Sequence, residues 1–225
     1  MRDEPVLLVH GFATSAARTW GDNGWIDLLG DAGRSVIAPD LLGHGEADKP
    51  HDPDAYRAME RHLAARLPDR PVDVVAFSLG ARIVLTLAAE EPDRFARIVV
   101  AGVGANLFRD DGSDAIARAI EGDAASANPV LQYFAGLAAQ PGVDRHALAA
   151  CIRCPRPRLD AAILGKVAVP ALVVLGDRDF AGPADPLVEA LPDAGFCPLR
   201  GVDHFATPKD FGFIDAALGF LETQL

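Results

Sequence analysis

The sequence predicts a doubly wound α/β fold, with a mainly parallel sheet of about six strands flanked by helices. Two observations carry this prediction. Short runs of about four or five apolar, often β-branched residues recur along the 225-residue chain, and they are apolar throughout rather than alternating. Segments with apolar residues at three- and four-residue spacing lie between these runs. Continuous apolar strands separated by amphipathic helices are typical of a parallel sheet covered on both faces.

Six segments have the composition of buried strands, and the last of them is the weakest. They are residues 6–9, 36–38, 72–76, 98–101, 171–175 and 196–199. Apolar faces with helical spacing lie after the first, second, third and sixth of these segments. Their first residues are Trp25, Tyr56, Ile83 and Phe211. The order of strands and helices along the chain therefore indicates repeated βαβ units.

Residues 105–167 interrupt this alternation. The segment contains no convincing strand, and 63 residues are too many for an ordinary connection between a helix and a strand. Its helix-like pieces are residues 114–121, 129–139 and 144–152. We therefore expect one domain, with an α/β core formed by residues 1–104 and 168–225 and a helical cap or lid inserted between them.

Composition limits the classes of partner. The formal net charge is −11, which argues against nucleic acid because nucleic-acid-binding proteins usually carry a basic patch. No run of 18 apolar residues is present, so no transmembrane helix is expected. The first residues, MRDEPVLLVHGF, lack the features of a signal peptide. We expect a cytoplasmic protein that acts on a small molecule, in an oligomeric state that the sequence does not indicate.

The cysteines do not predict a metal or redox site. Cys151 and Cys154 form a C-x-x-C pair, but only Cys197 remains, and a structural zinc site needs four ligands. The polar, proline-rich setting CIRCPRPR also differs from the start of a βαβ unit, where a redox pair is expected. Free thiols, no metal and no cofactor are therefore expected.

Residues that could carry chemistry follow the predicted strands. Ligands bind beyond the carboxyl ends of the strands in open α/β sheets. Ser78 follows the third predicted strand, Asp177 and Asp179 follow the fifth, and His204 follows the sixth. Taken alone, the serine of VVAFSLGA could be an ordinary helix-capping residue. The convergence of serine, aspartate and histidine on one edge favours a catalytic role instead.

The same residue types are required for nucleophilic catalysis. A serine hydroxyl needs an adjacent base, and the imidazolium that forms needs a carboxylate to orient and stabilise it. A sharp strand-to-helix turn would expose Ser78, and the small residues Ala76 and Gly80 allow such a turn. The N–H groups of Leu79, at the start of the next helix, and Phe12, after the first strand, are the expected oxyanion donors.

Five segments of the chain resemble the α/β-hydrolase family and occur in the family's order. They are LLVHGF at 7–12, APDLLGHGEAD at 38–48, VVAFSLGA at 74–81, PALVVLGDRDFAGP at 170–183 and GVDHF at 201–205. The resemblance implies a nucleophile elbow at Ser78, a base at His204 and an acid after the fifth of these strands. Ala76 replaces the first glycine of G-x-S-x-G. The antiparallel strands that usually open the fold are missing, so we expect a trimmed sheet.

The sequence offers several carboxylates as the acid. Asp177, Asp179 and Asp185 lie at or after the end of the fifth strand, and the family's Gly-x-x-Asp pattern selects Asp179. In some family members the acid follows the fourth strand, but that position here is AGVGAN, without a carboxylate. Asp203 adjoins His204, and its side chain should point away from the imidazole. His10 and His44 are expected to shape their loops rather than to react.

The resemblance implies a serine hydrolase that cleaves a small carboxylic ester through an acyl-enzyme, with Phe12, Phe77 and Leu79 bordering the substrate. The same triad also serves carbon–carbon bond hydrolysis and perhydrolase or haloperoxidase-like chemistry, so these alternatives stay open. Haloalkane dehalogenases need an aspartate at the elbow. The serine at residue 78 therefore excludes that activity. A ligand-binding protein with a vestigial site is a further alternative.

Overall fold

The computed structural model describes residues 4–109, 113–122 and 128–222. Its strands are β1 (Val6–Val9), β2 (Val36–Ile37), β3 (Val72–Phe77), β4 (Phe95–Ala101), β5 (Ala171–Gly176) and β6 (Ala194–Leu199). They form one sheet in the order β2-β1-β3-β4-β5-β6, and all neighbouring pairs are parallel. The predicted six-stranded parallel sheet is confirmed.

Helices connect the strands and cover the sheet. The α-helices of the described segments are α1 (Trp25–Asp31), α2 (Met59–Ala64), α3 (Leu79–Glu90), α4 (Ser113–Glu121), α5 (Pro129–Ala138), α6 (Arg145–Arg153), α7 (Ala161–Leu164), α8 (Asp185–Ala190) and α9 (Phe211–Glu222). Short stretches of tighter or wider helix precede several of them, including a π-helix at Ala17–Gly21.

The sheet separates two hydrophobic clusters. Leu7 and Val9 of β1 belong to the cluster that includes side chains of α2, α3 and α8. Val6 and Leu8, the alternate residues, belong to the cluster on the other face, with α1 and α9. Because successive side chains of a strand point to opposite faces, burial of both faces requires apolar residues at every position. This explains the continuous apolar runs in the sequence.

The second predicted helix is shorter than expected. Its apolar face extends over residues 56–67, but the structure has a 3₁₀ turn at Pro53–Tyr56 and begins α2 only at Met59. Ala58, between the two, has φ −128° and ψ 47°, which is outside the helical region. The apolar side chains still face the core, so the spacing correctly predicted which residues are buried. The predicted length of the helix was wrong.

The described part of the chain between β4 and β5 consists of helices joined by turns and irregular stretches, without a strand. A 3₁₀ turn at Ala105–Phe108 precedes α4, α5, α6 and α7. Arg153 of α6 donates two hydrogen bonds of 2.6 Å to the carboxylate of Glu121 at the end of α4, which joins these helices. Residues 110–112 and 123–127 of the predicted insertion lie outside the described residues. The division of the chain into core and cap stays a prediction.

No helix in the described segments is both long enough and apolar enough to cross a membrane.

Candidate active site

Ser78 lies in the sharp turn between β3 and α3. Its backbone has φ 53° and ψ −114°, an unusual conformation for a residue with a side chain. The Ser78 N–H donates to the carbonyl oxygen of Ala101 at 2.9 Å, which ties the turn to the end of β4. The hydroxyl makes no capping hydrogen bond to α3, so the role of an ordinary capping residue is not realised.

Small residues allow this turn because the backbone is crowded. A Cβ atom at Gly80 would lie 2.5 Å from the carbonyl oxygens of both Val9 and His10, which is far too close. A side chain at residue 80 would therefore force α3 away from the end of β1. Ala76 is fully buried within β3, opposite Val9 of the neighbouring strand, and the sheet accommodates its methyl group.

The structure brings Ser78, His204 and Asp179 within hydrogen-bonding distance. The Nε2 atom of His204 lies 3.0 Å from Ser78 Oγ. Its Nδ1 atom lies 2.9 and 3.0 Å from the two carboxylate oxygens of Asp179. Because an ionised carboxylate only accepts hydrogen bonds, Nδ1–H is the donor, and Nε2 is left to accept from the serine hydroxyl. This tautomer is the one that a general base acting on Ser78 requires.

The other candidate carboxylates have different contacts. Asp177 Oδ1 accepts a hydrogen bond of 2.7 Å from the Gly201 N–H, and so supports the loop between β6 and His204. Asp203 Oδ1 accepts from the main-chain N–H groups of Phe205 and Ala206 at 3.0 and 2.9 Å. Asp185 is the first residue of α8. Of these four aspartates, Asp179 is the one whose carboxylate contacts the imidazole within the described residues.

Aromatic rings hold the imidazole of His204. The ring centroid of Phe180 lies 4.3 Å from that of His204, and the centroid of Phe77 lies 4.8 Å away. Phe205 contacts the same ring edge-on at 5.5 Å. His204 is 4% exposed and Asp179 8%, so water has little access to their hydrogen bond. Phe180 was not singled out from the sequence, although it directly follows Asp179.

Phe12 and Leu79, the residues expected to supply the oxyanion donors, both lie beside Ser78. Both residues line a cavity together with Ser78. Within the described part of the chain, neither N–H donates to another protein atom. Leu79 is the first residue of α3, where main-chain N–H groups have no partner within the helix and the helix dipole favours negative charge.

His10 and His44 support the loops around this site. His10 is fully buried; its Nδ1–H donates to the carbonyl oxygen of Gly11 at 2.7 Å, and its Nε2 accepts from the Leu41 N–H at 3.0 Å. Burial lowers the pKa of His10. It also lowers the pKa of His44 to about 3, helped by the neighbouring His10. Both rings are therefore neutral at physiological pH and act structurally.

Two cavities meet at Ser78, and both contact Phe12 and Phe134. The His204 cavity, of about 180 Å³, is lined beyond these residues by Thr14, Arg18, Phe77, Tyr133, His204 and Lys209, among others. The Leu79 cavity, of about 270 Å³, is lined by Leu79, Val103, Leu107, Ile116, Val130 and Phe180, together with the arginines 82, 109 and 156.

Most of these wall residues were not found from the sequence. Arg18 and Lys209 stand in unremarkable loop segments, and nothing local distinguishes them from other surface cations. Their place at the cavity follows only from the packing of the loop after β1 against the turn after His204. Phe77, which was expected to border the substrate, lines the His204 cavity.

The described residues contain no group of three or more His, Cys, Asp or Glu side chains placed to hold a metal ion. The three cysteines carry free thiols. Burial raises the pKa of Cys151 to about 11, so this thiol is protonated at neutral pH.

Comparison with known proteins identifies a matching protein family. A family model described as "alpha/beta hydrolase fold" matches residues 4–136. A haloalkane dehalogenase of Mycolicibacterium paratuberculosis is 38% identical over 105 residues, which are 43% of this chain and 33% of that protein. The 2-hydroxy-6-oxo-2,4-heptadienoate hydrolase of Pseudomonas putida is 34% identical over 139 residues, 58% of this chain and 49% of that protein. The match thus spans a third to a half of these relatives.

Solved structures extend the likeness to the whole chain. MenH from S. aureus superposes with a TM-score of 0.75 at 20% identity, covering 99% of this chain and 95% of that one. At this identity the likeness shows the fold alone.

Proposed function

This chain belongs to the α/β-hydrolase fold family, and on that premise we propose that it is a serine hydrolase that cleaves small carboxylic esters. One observation carries the proposal: the uninterrupted hydrogen-bonded chain from Asp179 through His204 to Ser78. An Asp179 carboxylate oxygen lies next to His204 Nδ1, and His204 Nε2 lies next to the Ser78 hydroxyl, as proton transfer from the serine requires. A strained backbone at the serine supports a functional role, because such strain persists mainly where function requires it.

The first half of the reaction acylates Ser78. The hydroxyl attacks the ester carbonyl while His204 Nε2 takes its proton, and Asp179 stabilises the imidazolium that forms. The carbonyl oxygen becomes an oxyanion, which accepts hydrogen bonds from the N–H groups of Phe12 and Leu79. When the tetrahedral intermediate collapses, the carbon–oxygen bond breaks, and the imidazolium gives its proton to the departing alcohol.

The second half releases the acid. Water takes the place of the alcohol beside His204, which removes a proton from it as the water oxygen attacks the acyl carbon. Collapse of this second intermediate returns the proton to Ser78 Oγ and frees the carboxylic acid. The sum is one ester and one water converted to one alcohol and one acid.

Replacement of the nucleophile tests the proposal directly. We expect Ser78→Ala to lower kcat/KM for p-nitrophenyl esters of graded chain length by about a thousandfold or more, measured by release of p-nitrophenol. Ser35→Ala is the matched control, because this serine is exposed and directly precedes β2 rather than following a strand's carboxyl end. Activity of Ser78→Ala close to that of the wild type would exclude the mechanism.

A second candidate is hydrolysis of a carbon–carbon bond. It is favoured by the 34% identity to the Pseudomonas putida 2-hydroxy-6-oxo-2,4-heptadienoate hydrolase. A vinylogous diketone of that type, assayed beside the esters, separates the two: faster turnover of the diketone than of every ester would replace the ester assignment. Peroxide-dependent bromination would instead indicate perhydrolase chemistry. A protein that only binds its ligand would show no ester hydrolysis, no diketone hydrolysis and no peroxide-dependent bromination.

A further inference from the structure

The two cavities at Ser78 receive different parts of the substrate if the proposed function holds. In that reaction His204 gives its proton to the leaving alcohol, so the leaving oxygen must lie next to Nε2. Of the two cavities, the His204 cavity is the one whose wall includes His204. The Leu79 cavity borders the proposed oxyanion donor Leu79 instead. The alcohol therefore occupies the His204 cavity and the acyl chain occupies the Leu79 cavity.

The His204 cavity, like the Leu79 cavity with its three arginines, carries positive charge in an acidic protein. The chain has 32 acidic and 21 basic residues, yet the described wall of this cavity includes Arg18 and Lys209 and no aspartate or glutamate. Arg18 comes from the π-helix after β1, and Lys209 comes from the short turn after His204. The two cations thus reach the cavity from separate segments of the chain.

Neither cation is neutralised by a carboxylate of the described residues. The Arg18 guanidinium donates to the Gln140 side-chain oxygen and, at 3.5 Å, to the Pro141 carbonyl oxygen, and both acceptors are uncharged. Glu46 and Asp144 line an adjacent surface pocket together with Arg18, but neither forms an ion pair with it among the described residues, and Asp144 is bonded to His51 at 2.9 Å. The positive charge on this wall is therefore available to a ligand.

The remaining wall fits a compact, partly apolar group. Tyr133 stacks on Phe205 with 3.4 Å between ring centroids, and both rings face the cavity with Phe134. Thr14 and Thr19 lie beside Arg18, with 3.0 Å between their hydroxyl oxygens. A cavity lined by aromatic rings, cations and hydroxyls suits a flat ring that carries an anionic substituent.

From these observations we propose that the His204 cavity is a carboxylate subsite, in which Arg18 and Lys209 bind an acid group on the leaving alcohol. The preferred substrates are then esters of hydroxy acids, with an aromatic hydroxy acid as the closest fit. A hydrogen bond to a charged group stabilises the bound state enough to change kcat/KM by about 10- to 100-fold. An arginine offers two parallel donors to a carboxylate, while a lysine contributes a point charge.

A matched pair of esters tests this proposal. 3- and 4-carboxyphenyl butyrate and the corresponding carbamoylphenyl butyrates share the acyl chain and the ring and differ in charge. We expect the wild type to prefer the carboxylates by about tenfold or more in kcat/KM. Arg18→Gln and Lys209→Gln should each lower that preference severalfold, and the wild-type preference should weaken as ionic strength rises. The Lys209 side chain is exposed and has no hydrogen bond or ion pair with the described residues, so its replacement should not disturb folding.

Lys166→Gln is the charge-matched control. Lys166 is exposed, lies outside both cavities and loses the same charge, so it should keep the wild-type preference. Equal or faster hydrolysis of the carbamoyl esters by the wild type, or an unchanged preference in both cavity variants, would overturn the carboxylate subsite while leaving the serine hydrolase intact. If Ser78-dependent hydrolysis of both ester types is missing, the proposed function falls and the subsite falls with it.

Discussion

The backbone of Ser78 is held in a conformation that costs free energy. A non-glycine residue at φ 53° and ψ −114° costs on the order of 1–3 kcal/mol. Two neighbours supply the constraint: the hydrogen bond from Ser78 N–H to Ala101, and the close approach of Gly80 to the end of β1. The result is a hydroxyl that leaves the sheet and faces His204 instead of bonding to its own helix.

His44 shows how a buried ring near the site links stability to pH. Its Nδ1–H donates to the carbonyl oxygen of Leu42 at 2.9 Å, and its titratable or charged neighbours are His10, Asp40 and Arg156. Because its pKa is about 3 in the folded chain and about 6.5 when unfolded, the unfolded chain binds a proton here that the folded chain does not. Stability is therefore lost as pH falls below about 6.5.

We expect the free energy of unfolding of the wild type to fall between about pH 7.5 and about pH 5, and to fall less in His44→Asn. Asparagine keeps a donor near Leu42 but does not titrate, so the stability gap between the two proteins should narrow at the lower pH. Urea unfolding at both pH values measures it. His62→Asn, an exposed position on α2, is the control. A gap that stays constant with pH would contradict the role of His44.

The site residues differ in how far the sequence could predict them. Ser78, Asp179 and His204 are marked by local motifs, because the turns that present them need particular neighbours such as Gly80. Arg18 and Lys209 have no such requirement, because a cation in a short helical turn is compatible with any surface. Their position depends on contacts between segments nearly 200 residues apart, which no local pattern records.

Helix α5 is the element that separates the two cavities. Phe134 lies in both walls and contacts Phe12 at 5.6 Å and Phe205 at 6.1 Å between ring centroids. Val130 of the same helix faces the Leu79 cavity, and Tyr133 faces the His204 cavity. This helix therefore divides the space above Ser78 into an acyl part and an alcohol part.

Phe134→Ala should join the cavities and relax the preference for acyl length. We expect the ratio of kcat/KM for p-nitrophenyl octanoate to that for the butyrate to rise by about tenfold, with a loss of about 3 kcal/mol in the free energy of unfolding. Ile120→Ala removes a buried side chain of α4 that lines neither cavity. It should lower stability without changing the ratio, and an equal change of the ratio in both variants would contradict this account of α5.

Elements were predictable where one physical requirement dominated. β1 and β3 are buried on both faces, so their composition leaves little alternative. α8 has only six residues, which is too short for a periodic pattern, and it was not predicted. The break at Ala58 was missed for the opposite reason: the apolar spacing continues through it although the backbone does not.

The doubly wound sheet gathers the site from distant parts of the chain. Parallel strands end at the same edge, so the turn after β3 meets the turns after β5 and β6 although Ser78 and His204 lie 126 residues apart in sequence. The segment between β4 and β5 supplies walls to both cavities. The chain has a net charge of −11, yet cations and no carboxylates line both cavities among the described residues.

The central claim is that Ser78 is a nucleophile because His204 removes its proton. Reaction with a fluorophosphonate, followed by intact-protein and peptide mass spectrometry, tests it most directly. We predict one adduct per chain, on the peptide that contains Ser78, no adduct in Ser78→Ala, and labelling slowed by about a hundredfold or more in His204→Gln. Equal labelling rates in the wild type and His204→Gln, or an adduct that persists in Ser78→Ala, would contradict the claim.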